Sequence, residues 1–234
     1  MKTTLLVFTL NEIEGMKQIM PRIKREWVDE IIVVDGGSTD GTVEYAVKNG
    51  YTVYIQKKKG LRYAYIEVMR YVKGDIVITF SPDGNSIPEL IPPLIEKMQE
   101  GYDMVIVSRY LDGAKSYDDD LITGFGNWMF TNLINIIHGA KYTDAMVIFR
   151  AWKKEVFYQL DLDKDESYTF EEKIFFTTVG IEPLLSIRAA KKKLKIAEIP
   201  GDEPPRIKGK RKLQILRWGA AYLWEVIREA FIWH

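Results

Sequence analysis

The chain contains no cysteine. That excludes disulfides and thiolate metal sites, and it fits a reducing compartment. Histidine is almost missing as well, with two in the chain. One of them, His138, stands before Gly139 at the end of a helical pattern and reads as a helix-end residue. No run approaches the ~18 consecutive apolar residues of a membrane span. There is no internal repeat and no low-complexity tract. The N-terminal run Met1 to Thr9 lacks a small-residue cleavage site and reads as a first strand rather than a signal peptide. Net charge is absent too, because 33 Lys/Arg balance 33 Asp/Glu. The balance is uneven. Arg188 to Arg217 holds eleven Lys/Arg against three Asp/Glu. Such a segment meets an anion: phosphates, a membrane surface or nucleic acid.

What is present is an ordinary globular composition, 47% hydrophobic and 28% charged over 234 residues, enough for one sizeable core. The first 110 residues alternate strand-like and helix-like segments. Strands are expected at Thr3 to Thr9, Glu30 to Asp35, Tyr51 to Ile55, Asp75 to Phe80 and Asp103 to Ser108. Helices are expected at Glu12 to Arg25, Thr42 to Lys48, Leu61 to Val72 and Pro88 to Gln99. Strands apolar throughout and separated by helices predict a mostly parallel sheet covered on both faces. After Arg109 the rhythm is lost. Leu111 to Thr123 reads as a polar loop, with Asp118 to Asp120 solvated. Phe125 to Ile137 and Tyr168 to Val179 read as helices, and Asp144 to Arg150, Leu184 to Ile187 and Leu194 to Ile199 as strands. Gly201 to Lys212 is a cationic loop. An aromatic-rich amphipathic helix follows from Leu213. It suits a bilayer interface, packing on its own domain, or a second subunit as in a homodimer.

The chemistry concentrates where strands end. Phe80-Ser-Pro-Asp-Gly-Asn85 follows an apolar strand, and Asp83 with Asn85 can hold a hard divalent cation there. Val34-Asp-Gly-Gly-Ser-Thr-Asp-Gly-Thr42 is a glycine-rich strand-to-helix turn that lets a ligand approach the backbone, and Asp35 can accept hydrogen bonds from a ribose or base.

Taken in order, Phe8-Thr-Leu-Asn-Glu12, Val34 to Thr42, Ser81-Pro-Asp-Gly-Asn85 and Ser108-Arg-Tyr110 resemble the family 2 glycosyltransferases of GT-A fold. The resemblance is to their polyprenyl-phosphate (dolichol-phosphate) sugar synthase branch. Asp144-Ala-Met-Val-Ile-Phe-Arg150, Phe170-Glu-Glu-Lys-Ile174 and the basic stretch after Glu198-Ile-Pro200 extend the likeness over residues 3–213. The implied architecture is α/β: a Rossmann-like GT-A domain over 1–212, followed by the helix at 213–234. The nucleotide-binding part would cover about 1–110 and the acceptor part about 111–212.

The resemblance implies a nucleotide-sugar donor, UDP- or GDP-linked, whose diphosphate is held by Mg2+ or Mn2+. The family's Asp-x-Asp motif is matched by Ser81-Pro82-Asp83, so the first acid is a serine. Asn85 falls where the branch has an amide that also reaches the metal. Asp83 and Asn85 are therefore the expected metal ligands. Thr9, Asn11, Glu12, Asp35, Gly37, Arg62 and Asp83 are the expected donor-binding residues. Phe8, Leu10 and Gly36 depart from the usual pattern, so base specificity does not carry over. Arg62 either meets the diphosphate or is a solvated first-turn cation. Arg109, Arg206, Lys208, Lys210, Arg211 and Lys212 are the expected cations for an acceptor phosphate, the last five on a lid hinged at Gly209. A lipid phosphate needs no base, being largely dianionic at neutral pH. A hydroxyl acceptor needs a carboxylate, from Asp144, Glu171 or Glu172. The implied partners are the nucleotide sugar and a polyprenyl phosphate or other membrane-associated acceptor. No nucleic acid is among them, and the setting is cytoplasmic, peripheral at the membrane face. Two rival readings are a sugar-phosphate nucleotidylyltransferase and a non-catalytic nucleotide- or lipid-binding module. The first would want a basic, glycine-rich loop where Asn11-Glu-Ile-Glu14 stands.

Overall fold

A computed structural model describes residues 1–209 and 215–233. Seven strands form one sheet: β1 (Thr3–Thr9), β2 (Glu30–Asp35), β3 (Thr52–Ile55), β4 (Ile76–Phe80), β5 (Met104–Ser108), β6 (Arg150–Lys153) and β7 (Ile196–Pro200). Their order is β3-β2-β1-β4-β6-β5-β7, with β6 antiparallel to both neighbours and every other pairing parallel. Every residue of β1, β4 and β5 is buried. Continuous apolar strands therefore lie in the middle of the sheet, as coverage on both faces requires.

The helices are α1 (Ile13–Ile19), α2 (Thr42–Lys48), α3 (Leu61–Val68), α4 (Ile91–Gln99), α5 (Leu121–His138), α6 (Lys154–Gln159), α7 (Thr169–Phe175), α8 (Glu182–Lys191) and α9 (Ile215–Glu229). The first expected helix stops early. Pro21 sits inside a short 3-10 turn, Met20–Arg22, that follows α1, since proline cannot continue an α-helical ladder. α5 begins at Leu121 because Asp120 caps it, accepting from the Ile122 and Thr123 amides while Thr123 returns a bond to the cap backbone.

Two expected strands are not strands. Leu184 to Ile187 lies inside α8, where Pro183 occupies the first turn and every residue from Glu182 to Ala189 is buried. A short apolar run has no period that separates a buried helix turn from a strand. Of Asp144 to Arg150 only Arg150 enters β6. The preceding residues are held irregularly: the Ala145 amide donates to Thr131 Oγ1 at 3.1 Å, and the buried Arg150 guanidinium donates back to the carbonyls of Ala145 and Val147.

α9 packs on α5, α7 and α8. Its inward face carries charge as well as Ala221, Tyr222 and Val226. Arg188 of α8 forks onto Glu229 at 2.9 and 3.1 Å, while Arg228 pairs with Glu229 and with the fully buried Glu171 of α7. Glu225 lies among these groups, and neither carboxylate oxygen has a hydrogen-bond partner among the described residues. Burial, reinforced by the nearby Glu171, pushes its carboxyl well above the usual range, against the opposing pull of Arg228 and Arg188. An acid whose folded pKa is raised destabilises the fold progressively as pH rises above the ordinary value of about 4.5. Glu225→Gln is therefore expected to raise the melting temperature. The gain should be small at pH 5 and larger at pH 8, read by thermal unfolding across that range.

Candidate active site

The chain reverses direction across the sheet between β1 and β4, and an open α/β sheet binds ligands at that switch point, beyond the strand carboxyl ends. Register brings the ends level, with Thr9 opposite Asp35 and Val7 opposite Phe80. Ser81 to Asn85 leaves β4 at this edge. Asp83 is buried, 7% exposed. One carboxylate oxygen accepts from the Asn85 amide at 3.1 Å, and the other from Arg206 Nη1 at 2.6 Å. The Asp83 carbonyl accepts from the Ile207 amide at 2.8 Å. Gly84, at φ +105°, permits this overlay: a Cβ there would stand 2.8 Å from Ile207 Cγ1. Arg206 and Ile207 of the cationic loop thus fold directly onto the acidic turn.

A cavity of about 390 Å3 opens beside this contact. Asp83, Asp118, Asp119, Glu182, Asp202 and Glu203 line it against two arginines, Arg109 and Arg206. Its apolar wall includes Ile122, Phe130, Val147, Trp218 and Tyr222. An acid-rich lining of this kind receives a diphosphate only with added positive charge. The oxygen set suits a hard divalent cation. Asn85 Nδ2 faces Asp118 Oδ2 at 3.0 Å and Glu203 Oε1 at 3.4 Å. That orients the amide and leaves Asn85 Oδ1 buried without a hydrogen-bond partner among the described residues. Among the described residues no three acidic or histidine side chains cluster as a ready-made metal site. One or two carboxylates, an amide oxygen, waters and substrate phosphates match how magnesium-like ions are held.

Arg109 forms the floor. Its Nε meets Asp144 Oδ2 at 2.6 Å, Nη2 meets Asp144 Oδ1 at 3.0 Å, and Nη1 reaches Glu203 at 3.2 Å. Asp144 is fully buried and is not in the cavity wall. Burial alone would raise its carboxyl, but the Arg109 charge and hydrogen bonds override that and hold it below the usual range. Glu198 of β7 accepts from the Thr143 and Asp144 amides and fixes the turn.

The structure brings Asp83, Asn85, Arg109 and Arg206 together. Thr9 and Asp35 meet at 2.7 Å under the glycine-rich turn, where Asp35 also accepts from the Gly37 and Ser38 amides at 2.9 and 2.7 Å. Asn11, at φ +56°, accepts from the Thr39 amide through Oδ1 at 2.8 Å, and the Glu12 amide donates to Thr42 Oγ1 at 3.0 Å. These residues join the first two strand ends into one edge. Lys208 is exposed, and Lys210, Arg211 and Lys212 lie outside the described residues.

Of the expected site residues, Thr9, Asn11, Glu12, Asp35, Gly37, Arg62, Asp144, Glu171 and Glu172 are not in the wall of this cavity. Arg62 is buried, forked onto Glu172 with two bonds of 2.7 Å and bonded to Asp165 at 2.7 Å. It is therefore not a solvated first-turn cation. Glu172 is its partner, and Glu171 is the partner of Arg228. Arg62, Glu171 and Glu172 tie α3, α7 and α9 together. Sequence reasoning missed Asp118, Glu182 and Glu203. Asp118 was legible only as part of an acidic run. Glu182 accepts from the buried Tyr65 hydroxyl at 2.9 Å, and burial raises its carboxyl.

Solved structures share this architecture. Glucosyl-3-phosphoglycerate synthase from Mycobacterium tuberculosis, in complex with Mn2+, UDP and glucosyl-3-phosphoglycerate, superposes with a TM-score of 0.65 at 18% identity, over 98% of this chain and 79% of that one. A second mycobacterial protein gives 0.72 at 17% identity, over 98% of this chain and 74% of its own. The fold is the GT-A fold, a mostly parallel sheet with the α9 helix appended. Residues 4–160 match glycosyl transferase family 2, and the chain belongs to that family of glycosyltransferases. It is similar to undecaprenyl-phosphate mannosyltransferase of Micrococcus luteus, 28% identical over 97% of this chain and 98% of the relative. Dolichol-phosphate mannosyltransferase of Pyrococcus furiosus is 30% identical over 92% of this chain and 60% of its own length. Glycosyltransferase AglJ of Haloferax volcanii is 28% identical over 97% of this chain and 71% of its own length.

Proposed function

We propose that the chain transfers a hexose from a UDP- or GDP-linked donor to a polyprenyl phosphate, using Mg2+ or Mn2+ and inverting the anomeric carbon. The observation that carries this is the Asp83–Asn85 turn at the switch point, capped by Arg206 and open to a cavity with one acidic and one apolar wall. The names of the relatives from Micrococcus luteus and Pyrococcus furiosus support the acceptor class, and the mycobacterial complex supports the cation.

Asp83 and Asn85 would hold the cation, which when bound offsets charge on the donor diphosphate. Asp35 and Thr9 form the nucleoside edge. Arg109 is kept in place by Asp144 and Glu203, and together with Arg206 it supplies positive charge beside the leaving diphosphate or the acceptor phosphate. A phosphate nucleophile is already ionised. Such a nucleophile needs no side-chain base, so the carboxylates of the cavity wall are not required in that role.

Among the described residues no helix is long and apolar enough to cross a membrane. Leu121, Phe125 and Trp128 of α5 and Leu216, Trp224 and Ile227 of α9 are nonetheless exposed. These two helices also line the apolar wall of the cavity. Laid on the cytosolic face of a bilayer, they would deliver a lipid-borne phosphate to Arg109 and Arg206.

The test is transfer of labelled sugar from UDP- and GDP-linked donors to a polyprenyl phosphate in vesicles. Expected is transfer that EDTA abolishes and Mg2+ or Mn2+ restores. Transfer undiminished in EDTA would contradict the cation requirement. Donor binding without turnover on any lipid phosphate would favour the binding-module reading.

A further inference from the structure

The first acid of the family's metal motif is missing here, since Ser81 stands in its place. The structure brings another carboxylate, from elsewhere in the chain, onto Asn85 of the same turn and into the same cavity wall as Ser81. Asp118 belongs to the loop between β5 and α5, and its side chain is 17% exposed. Its Oδ2 accepts from Asn85 Nδ2 at 3.0 Å and lies 3.8 Å from Arg206 Nη2. Asp83 contacts the same two residues, through the Asn85 amide and Arg206 Nη1. The guanidinium therefore sits between two carboxylates that both bond Asn85, Asp83 at its backbone N–H and Asp118 at its side-chain Nδ2, where a divalent cation would balance the same charge.

Two atoms of this cluster are buried without a hydrogen-bond partner among the described residues: Asn85 Oδ1 and Arg206 Nε. One event satisfies both. An oxygen-seeking cation takes Asn85 Oδ1 as a ligand, and a displaced Arg206 presents Nε and its terminal nitrogens to phosphate oxygens, which match a guanidinium fork. Gly84 and Gly209, both at positive φ, bracket the contact and the loop that would move.

From this geometry we infer that Asp118 supplies the carboxylate that Ser81 lacks, and that Arg206 holds Asp83 and Asp118 together until a divalent cation displaces it. The inference rests on the metal-dependent donor site proposed above. It adds a ligand from a distant loop and makes cation binding an exchange with this chain's own arginine.

The test is Mn2+ binding to the purified chain without donor, read from the paramagnetic resonance signal of free Mn2+. Unfolding curves establish that each variant is folded. Asp118→Asn is expected to weaken Mn2+ binding about tenfold or more, the scale seen when groups supporting a metal site are lost. Adding Ser81→Asp to that variant is expected to restore binding to near the wild-type value. Arg206→Gln is expected to tighten Mn2+ binding, because the competing cation is gone. Wild-type affinity in Asp118→Asn, with binding lost in Asp83→Asn, would overturn the role of Asp118 and leave the metal site standing. Wild-type affinity in Asp83→Asn as well would overturn the metal site itself. Weaker binding in Arg206→Gln would overturn the exchange.

Discussion

Asp83→Asn is expected to lower sugar transfer by about 10²–10³-fold, the range seen when one preorganised electrostatic group is removed from an active site. The substitution keeps the side-chain shape. It also keeps an oxygen for the Asn85 amide, so the turn after β4 should persist. What it removes is negative charge at the switch point, where Asp83 faces Arg206 across 2.6 Å. If the loss came from misfolding, the melting temperature would fall with activity. The expectation is instead an unfolding transition close to wild type, with kcat/KM reduced and the residual activity less responsive to added Mn2+. A fully active Asp83→Asn enzyme would remove the turn from the mechanism.

Arg228→Ala is expected to destabilise the fold by about 3–5 kcal/mol, the usual cost of removing one partner from a buried ion pair. Arg228 is 7% exposed and contacts Glu171, Glu229 and the Ser167 carbonyl. Without it, Glu171 and Glu225 lose their nearest opposing charge, and Glu229 keeps only Arg188. For a chain of this size the loss corresponds to a melting temperature lower by roughly 10 °C. The sign of the pH dependence follows from the raised carboxyls. Burial already raises Glu171 against the pull of Arg228, and deleting that arginine raises it further. An acid with a raised folded pKa loses stability as pH climbs above its unfolded value, so the deficit should widen from pH 5 to pH 8. Thermal unfolding of both proteins at several pH values measures it. A deficit independent of pH would mean that Arg228 acts through packing alone.

The strands of the first half were legible because β1, β2, β4 and β5 have apolar centres and end at Thr9, Asp35, Phe80 and Ser108, where polar turns take over. Asp83 was legible for the same reason, standing just beyond a strand end. What the sequence did not reveal was pairing across long separations. Arg62 looks like a free cation on the first turn of a helix until Glu172, 110 positions later, closes on it. Asp118 looks like one of three solvated acids until its loop folds back to Asn85, 33 positions earlier. Asp120, the third acid of that run, caps α5 instead. Leu184 to Ile187 was misread because burial on all sides erases the periodicity that separates helix from strand.

The Asp83–Asn85 edge is proposed to hold a nucleotide-sugar diphosphate through a divalent cation. Calorimetric titration of UDP and GDP into the chain, with Mn2+ and then with EDTA, tests it most directly. One nucleotide is expected to bind with Mn2+ present, and its binding to collapse in EDTA and in Asp83→Asn. Equal affinity with and without the cation would contradict it.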